Sequence, residues 1–423
     1  METKINTESL QGIVGEGNVQ EATEADAIDG VRPSVVAEPE TAEQVAEVLK
    51  FARSEGVSVA PRGGGTKQGW GNIPAAAEIV LSLSRMNEII EHVPGDQVVR
   101  VQAGAKFSYV QQSLFRENQM IALDPPSKLK DATVGGVIAA NDSGPRRYKY
   151  NTTRDLIIGA KVVLADGTIA KSGGKVVKNV AGYDLGKLFT GSLGTLGVIV
   201  EANFRLHPLP EAARTVAVEV ETPEQAQRAM MTLWHSQVEA SAIELHWGEE
   251  KKLVSALLES IPEGVEAKEE QAHVMLKSIG EVRSLNDEEY DDLGPYSRPD
   301  GSNGEVVVKA AAPPAELAGL MEILTNATGR RGIKAELRGH AATGIIFSGL
   351  VGEEDAVVEA VEEAREILVR RGGSLVVREA TVSFKRRVDA WGPAGDYMEL
   401  TRQVKGKFDA AGTLNPGRYL GGI

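Results

Sequence analysis

Two hydrophobic rhythms divide this chain, and the change comes near Pro208 and Pro210. Before that point, short apolar runs lead into glycines. Residues 1–29 are polar and weakly patterned, and they predict a loose arm with a short helix. Regular patterning starts at Arg32-Pro33-Ser34-Val35-Val36. Thr41-Ala-Glu-Gln44 is a capping box, and Val45, Val48, Leu49 and Ala52 recur at helical spacing. Gly56 stops that helix, and Val57-Ser58-Val59-Ala60 predicts a buried strand. Further strands are predicted at 79–83 and 98–104, and a helix at 109–118. Ile157 to Lys171 predicts a hairpin turning at Asp166-Gly167. Phe189 to Phe204 reads as a helix passing into a strand.

After Pro210 the pattern is alternation broken by capped helices. Thr215–Val220 predicts a strand, and Thr222-Pro223-Glu-Gln225 caps a helix to about residue 237. Ala242–Trp247 predicts another strand. Residues 281–304 are acidic, carry Gly294, Pro295, Pro299 and Gly301, and predict a surface loop. Then follow a strand (305–309), a helix (314–330), paired strands (333–338 and 343–350), a helix (353–371) and a strand (374–378). That β-α-β-β-α-β order is the ferredoxin-like split unit. No solenoid-like period is evident. The predicted domains are an arm (1–29), a glycine-rich domain (30–210), an α/β domain (211–380) and a returning C-terminal segment (381–423).

Composition narrows the class. A chain of 423 residues has room for two domains. A net charge of −14 repels nucleic acid in the absence of a basic face. With 0 cysteines, disulfides, thiolate-held iron–sulfur clusters and cysteinyl cofactor links are excluded. The N-terminus lacks a basic region followed by an apolar one, and no run approaches the ~18 apolar residues of a spanning helix. The expected location is the cytoplasm, with peripheral attachment at the inner face of the cell membrane left open.

The glycines carry the candidate chemistry. Arg62-Gly63-Gly64-Gly65-Thr66-Lys67 reads as an anion nest for a diphosphate or as a plain glycine turn. It lacks the Gly-Lys-Ser/Thr of a P-loop and the Gly-x-Gly-x-x-Gly that opens a dinucleotide-binding helix. The second stretch follows the turn at Asp124-Pro125-Pro126-Ser127. It contains Thr133, Val134, Gly135, Gly136, Asn141, Ser143 and Gly144. It reads as a ligand wall or as a helix packed through small residues. Taken together, the two stretches suggest a long ligand with a central diphosphate and a flat ring, as in FAD.

Three further glycine turns follow: Gly173-Gly174-Lys175, then Lys178-Asn179-Val-Ala-Gly182-Tyr183-Asp184-Leu, then Gly191-Ser-Leu-Gly194-Thr195-Leu-Gly197-Val198-Ile199. With these, residues 30–210 resemble the PCMH-type FAD-binding domain of the vanillyl-alcohol oxidase superfamily. Within it they resemble the glycolate oxidase and D-lactate dehydrogenase branch. Ser143-Gly144-Pro145-Arg146-Arg147 and the ending Leu414-Asn415-Pro416-Gly417-Arg418 resemble the FAD-binding subunits E of glycolate oxidases. The resemblance implies an α+β flavoprotein: a two-subdomain FAD-binding domain with a ferredoxin-like α/β cap. It implies that Arg62–Lys67 wrap the pyrophosphate. Pro125 and Thr133 to Gly144 would line the pyrophosphate and flavin, Gly197–Ile199 the adenine or ring edge, and Asn415 and Arg418 the flavin side. It also implies oxidation of glycolate or D-lactate, a sister FAD subunit and an iron–sulfur subunit as partners.

Covalent relatives place a histidine where this chain has Thr66, so the implied FAD is non-covalent. The branch motif Gly-His-x-Gly-Asp-Gly-Asn-x-His is reduced here to Arg338-Gly339-His340-Ala341-Ala342-Thr343-Gly344, and His340 is the last histidine. No family-type metal site is expected. The catalytic candidates are His340, Arg338, Arg147 and Arg387; Arg147 and Arg387 lie in the clusters Arg146-Arg147 and Lys385-Arg386-Arg387, able to hold a carboxylate, as readily as they balance surface charge. The shortened motif leaves two alternatives open: a dehydrogenase with its own substrate site, and a flavin-bearing relay or structural subunit. A sugar or alcohol oxidase of the same superfamily is the weaker third.

Overall fold

The computed structural model describes residues 5–126, 131–174, 184–286, 288–290 and 304–423. The Lys178–Tyr183 motif and Ser127 lie outside the described residues. The chain divides into two compact units, residues 1–142, 152–208 and 393–423 in one, and 143–151 and 209–392 in the other.

Among the described residues, the first unit carries two larger sheets and one two-stranded pair, Gln119–Met120 with His207–Pro208. In one, Val35–Ala37, Ile79–Ser82 and Val59–Arg62 run parallel, and Val19–Glu21 adds an antiparallel edge. Residues of the N-terminal arm are therefore built into this unit, with Leu10 and Val14 of the helix Thr7–Val14 buried. The helix Ala42–Glu55 starts where Thr41 accepts from the Gln44 N–H at 3.1 Å, and it ends at Gly56 with φ 67°. The predicted strand at 57–60 is displaced to Val59–Arg62, because pairing with Ile79–Ser82 carries it on to Arg62. Pro61 is tolerated there because this strand forms the sheet edge. The other sheet is antiparallel, in the order Ile89–Val93, Val98–Gln102, Val198–Arg205, Ile157–Val163, Ile169–Gly173. Its hairpin turns at Asp166-Gly167 as the sequence predicts, with Asp166 Oδ1 accepting from the Thr168 N–H at 2.8 Å.

The second unit is one eight-stranded antiparallel sheet. Its order is Val282–Leu285, Ala212–Glu219, Lys252–Ser260, Ala242–Trp247, Lys334–His340, Ile345–Val351, Val306–Ala311, Ser374–Glu379. It contains the β-α-β-β-α-β order twice. The helices Pro223–Trp234 and Pro262–Leu276 belong to the first half, Leu317–Gly329 and Glu354–Arg370 to the second. The halves meet through Ala242–Trp247 and Lys334–His340, so their strand orders mirror each other. The sequence predicts the full order only for the second half; of the first it predicts the strands at 215–220 and 242–247 and the helix between them. Part of the predicted loop at 281–304 is a strand, Val282–Leu285, paired with Ala212–Glu219; residues 287 and 291–303 of it lie outside the described residues.

Strand alternation separates the two faces of this sheet. Ile243, Leu245, Val254, Leu258, Leu337, Ile346 and Leu350 join Met230, Leu233, Leu320, Leu324, Val361 and Leu368 of the helices in one core. Glu244, His246, Glu336, Arg338 and His340 occupy the alternate positions, on the opposite face. Among the described residues, no helix is long and apolar enough to cross a membrane.

Candidate functional site

The two glycine stretches of the first unit pack against each other, and that contact explains their composition. A Cβ on Gly63 would lie 2.0 Å from Thr133 Oγ1, and one on Gly64 would lie 2.2 Å from the Asp131 carbonyl oxygen. A Cβ on Gly135 would lie 2.7 Å from that of Ala103. The missing side chains thus make room for the neighbouring wall as well as for a ligand. Among the described residues, nothing accepts from the backbone N–H groups of Gly63, Gly64, Gly65 and Thr66. Successive unsatisfied N–H groups, with Gly65 at φ 73°, have the make-up of an anion nest.

The second stretch is a helix, Val134–Ala140, capped by Thr133, which accepts from the Gly136 N–H at 3.3 Å. Its first N–H groups are already engaged: Val134 donates to Ala105 at 2.9 Å and Gly135 to Ala103 at 2.7 Å. The picture of free N–H groups therefore holds for the first stretch and not for the second. The helix contributes small side chains and its dipole.

These walls border one cleft. It is lined by Arg62, Gly63, Gly64, Gly65, Thr66, Lys67, Thr133, Gly135, Gly136, Gly197, Val198, Ile199, Asn415 and Arg418, all singled out in the sequence. Pro61, Gln68, Leu83, Ala103, Ala139, Ala140, Leu193 and Gly194 complete the lining. Gln68 and the Leu193-Gly194 pair sit inside recognised motifs. Leu83 and Ala103 arrive by long-range packing and carry no local signal. Pro125 and Val134 are buried outside the lining. Asn141 caps the helix at φ 46° with its Oδ1 buried and unpartnered, also outside the lining. Ser143 and Gly144 belong to the second unit.

The cleft's cations are already oriented. Arg62 bonds Asp26 at 2.7 Å. Burial pushes the Asp26 carboxyl up, but the Thr23 N–H and Arg62 outweigh it and hold the carboxyl below its usual range. Lys67 faces the buried Asp142 at 3.5 Å and the Trp70 ring at 5.6 Å. Arg418 donates to the Gln68 side chain at 3.0 Å, to the Gln68 carbonyl at 2.7 Å and to the Trp70 carbonyl.

The C-terminal segment reaches the cleft through a buried ion pair. Lys405 Nζ bonds Asp409 at 2.6 Å, the Thr195 carbonyl at 2.7 Å and the Leu414 carbonyl at 3.0 Å. Burial pushes the Lys405 ammonium below its usual range, and Asp409 acts against that shift. Asp409 also accepts from the N–H groups of Thr413 and Leu414 at 2.9 and 2.8 Å. Asn415 follows, at φ 44°, donating Nδ2 to the Leu193 carbonyl at 2.7 Å. Its Oδ1 is then fixed as an acceptor, and it is buried without a partner. Leu193 itself sits at φ 51°, a cost that bulky residues bear mainly at functional sites. A nest of donors and a buried lone acceptor suit a ligand that carries both a diphosphate and N–H or O–H groups, which FAD does.

The catalytic candidates all lie in the second unit. His340 is buried, with Nδ1 2.9 and 3.1 Å from the two carboxylate oxygens of Glu244 and its ring edge-on to Phe347 at 5.6 Å. Arg338 bonds Glu336 at 2.8 Å, and Glu336 also meets His246 at 3.2 Å. Burial, helped by Arg338 and Lys251, drives the His246 pKa down to about 3, so the ring meets Glu336 as a neutral group and not as the cation of an ion pair. Arg147 begins the short helix Arg147–Tyr150, beside Arg146, which is held by buried Glu259 at 2.6 Å. Arg387 is held by Asp355 at 2.7 Å and Glu354 at 3.3 Å. Arg387 is thus engaged in surface charge pairing. The structure brings His340 and Arg338 onto one strand and leaves Arg387 apart from them. Glu244 carried no signal in the sequence, because it is one acidic residue in an alternating strand.

Residues 33–173 match the model of an FAD binding domain. The chain is 31% identical to D-lactate dehydrogenase of Archaeoglobus fulgidus, over 91% of each chain. It is 26% identical to glycolate oxidase subunit GlcD of Bacillus subtilis, over 92% of this chain and 89% of that one. Among solved structures, p-cresol methylhydroxylase aligns with a TM-score of 0.73 at 17% identity, over 97% of this chain and 95% of that one. Alkyldihydroxyacetonephosphate synthase aligns with a TM-score of 0.73 at 18% identity, over 98% and 85%. These structural likenesses establish a PCMH-type flavoprotein fold.

Proposed function

The chain belongs to the family of FAD-dependent 2-hydroxy-acid dehydrogenases, and from that premise we propose that it oxidises glycolate or D-lactate to the 2-oxo acid. It is an FAD-dependent oxidoreductase acting on CH–OH groups. The observation that carries the reading is the cleft. The nest at Gly63–Thr66 suits the pyrophosphate, and the buried Asn415 Oδ1 suits a donor of the same ligand. Bound FAD supplies the two-electron acceptor. Gly63–Thr66 hold the anionic centre with backbone donors, and Lys67 and Arg418 add positive charge while fixed by their own partners. Thr66 has no group that links to a flavin, so the cofactor is held without a covalent bond. Because this chain has no cysteine, the electrons leave to a separate iron–sulfur subunit, beside a sister flavin subunit, in a cytoplasmic or membrane-peripheral complex.

Steady-state reduction of a dye by the purified holoenzyme with glycolate, D-lactate and larger D-2-hydroxy acids tests the activity. Turnover with a small 2-hydroxy acid is the expected result; turnover with none of them overturns it. Co-purification of a cysteine-rich subunit tests the partner. One observation favours a second reading. The Asp-Gly-Asn-x-His half of the branch motif is replaced by Ala341-Ala342-Thr343-Gly344, as in a subunit that relays electrons for a sister flavoprotein.

A further inference from the structure

The loop that follows Phe189 crosses to positive φ three times, with Gly191 at 84°, Leu193 at 51° and Gly194 at 73°. Glycine adopts that geometry freely. Leucine does not, because its branched side chain crowds the backbone there. The strained residue is held from both sides. Its N–H donates to the Ala139 carbonyl at 2.8 Å, and its carbonyl accepts from Asn415 Nδ2 at 2.7 Å. Two residues on, the Thr195 carbonyl accepts from Lys405 Nζ at 2.7 Å, and Thr195 Oγ1 donates to the Ser192 carbonyl at 2.7 Å. A Cβ on Gly194 would lie 3.3 Å from Asn415 Nδ2 and 3.4 Å from the Pro61 ring, so the loop is also pressed against its neighbours.

Both of Leu193's hydrogen bonds use its backbone, so glycine at this position would make them without strain. What leucine adds is apolar surface, and that surface lies in the cleft: Leu193 is a half-buried part of the lining, with Pro61, Ala139, Ala140 and Gly194. A strained backbone that persists where glycine would relieve it points to a use for the side chain. We propose that Leu193 is a cofactor-binding residue whose side chain is a platform for one of the flat rings of FAD, the adenine or the isoalloxazine. An apolar side chain suits the face of a ring and offers nothing to a phosphate. Asn415 serves the same end twice. Its Nδ2 fixes the Leu193 carbonyl, and its Oδ1 stays buried without a partner. The proposal rests on the reading of this cleft as the FAD site.

The test titrates deflavinated full-length protein with FAD, and separately with ADP, which carries the adenine and the diphosphate without the isoalloxazine. Leu193→Gly should weaken FAD binding at least about tenfold, the scale of losing a leucine's apolar contact. The melting temperature of the FAD-free protein should change little, because relief of the positive φ offsets the lost side-chain contacts. Leu193→Met keeps an apolar side chain of similar volume and should bind FAD nearly as tightly as wild type. An equal loss with ADP in Leu193→Gly identifies the ring as adenine. Unchanged ADP binding, with a shifted spectrum of the bound flavin, identifies it as isoalloxazine. Wild-type FAD affinity in Leu193→Gly overturns the proposal, whether or not the melting temperature falls, since the residue would then only shape the loop. A loss in Leu193→Met as large as in Leu193→Gly also overturns it. Failure of the wild-type protein to bind FAD instead overturns the reading of the cleft beneath it.

Discussion

Gly64 offers the sharpest perturbation of the FAD cleft, because its constraint comes from backbone. A methyl group there would sit 2.2 Å from the Asp131 carbonyl oxygen and 3.2 Å from its carbon. Ordinary contact begins at 3.4 Å, so the two walls must part by about 1 Å. No side chain can rotate away to relieve this. Overpacking of this kind costs about 1–3 kcal/mol. Part of that cost falls on the unliganded protein. The rest falls on binding, since parting the walls carries the Gly63–Thr66 N–H groups away from the helix Val134–Ala140. If half reaches the ligand, FAD affinity falls about twofold to twelvefold, at about 1.4 kcal/mol per decade. Fluorescence titration of the deflavinated protein with FAD, together with melting of the FAD-free form, separates the two shares. Gly64→Ala protein that binds FAD as tightly as wild type and melts at the same temperature would refute the packing argument. Gly12, whose Cβ would meet nothing within 4 Å, is the control: Gly12→Ala, in the helix Thr7–Val14, should leave FAD affinity unchanged and should not lower the melting temperature.

Two other substitutions probe the cleft's rim and the second unit. Asn415→Ala removes the donor to the Leu193 carbonyl and places alanine at φ 44°, so we expect destabilisation of about 2–4 kcal/mol and weaker FAD retention, read by denaturant titration and bound-flavin absorbance. His246 has a folded pKa of about 3 against an unfolded 6.5, so the folded state refuses a proton that the unfolded chain accepts. Its contribution to stability is therefore intact above pH 6.5 and is lost progressively as pH falls toward 3. His246→Gln should flatten that part of the stability–pH curve, and an unchanged curve would show that the ring does not resist protonation.

The first unit was legible where local chemistry sets structure. Thr41 and Gly56 mark the ends of one helix by capping, and Asp166-Gly167 marks a hairpin. The cleft was legible for a related reason, since glycines that permit close approach cluster in the sequence. Their physical role was only half legible. The backbone oxygen of Asp131 and the side chain of Thr133, which exclude a Cβ from Gly64 and Gly63, arrive from a distant segment. In the second unit, the helix Pro262–Leu276 buries only Val265, Ala272 and Leu276 and carries acidic residues round much of its surface. Its apolar stripe is too thin to announce it. The strand Val282–Leu285 pairs on one side only and buries only Leu285, so its alternation is faint. Those two elements and the strand Lys252–Ser260 were not predicted, and that hid the duplication of the ferredoxin-like unit. The Glu244–His340 pair was hidden for the same reason: it joins the two halves, and nothing local links the residues.

On the proposed reading, this chain oxidises a small 2-hydroxy acid at its own flavin. Anaerobic addition of D-lactate or glycolate to the purified, FAD-loaded chain tests it in a single spectrum. The visible flavin band of this chain should bleach on its own, in proportion to bound FAD. A band that stays unchanged with every small 2-hydroxy acid, yet bleaches once a sister flavoprotein is added, would contradict it and establish the chain as a relay.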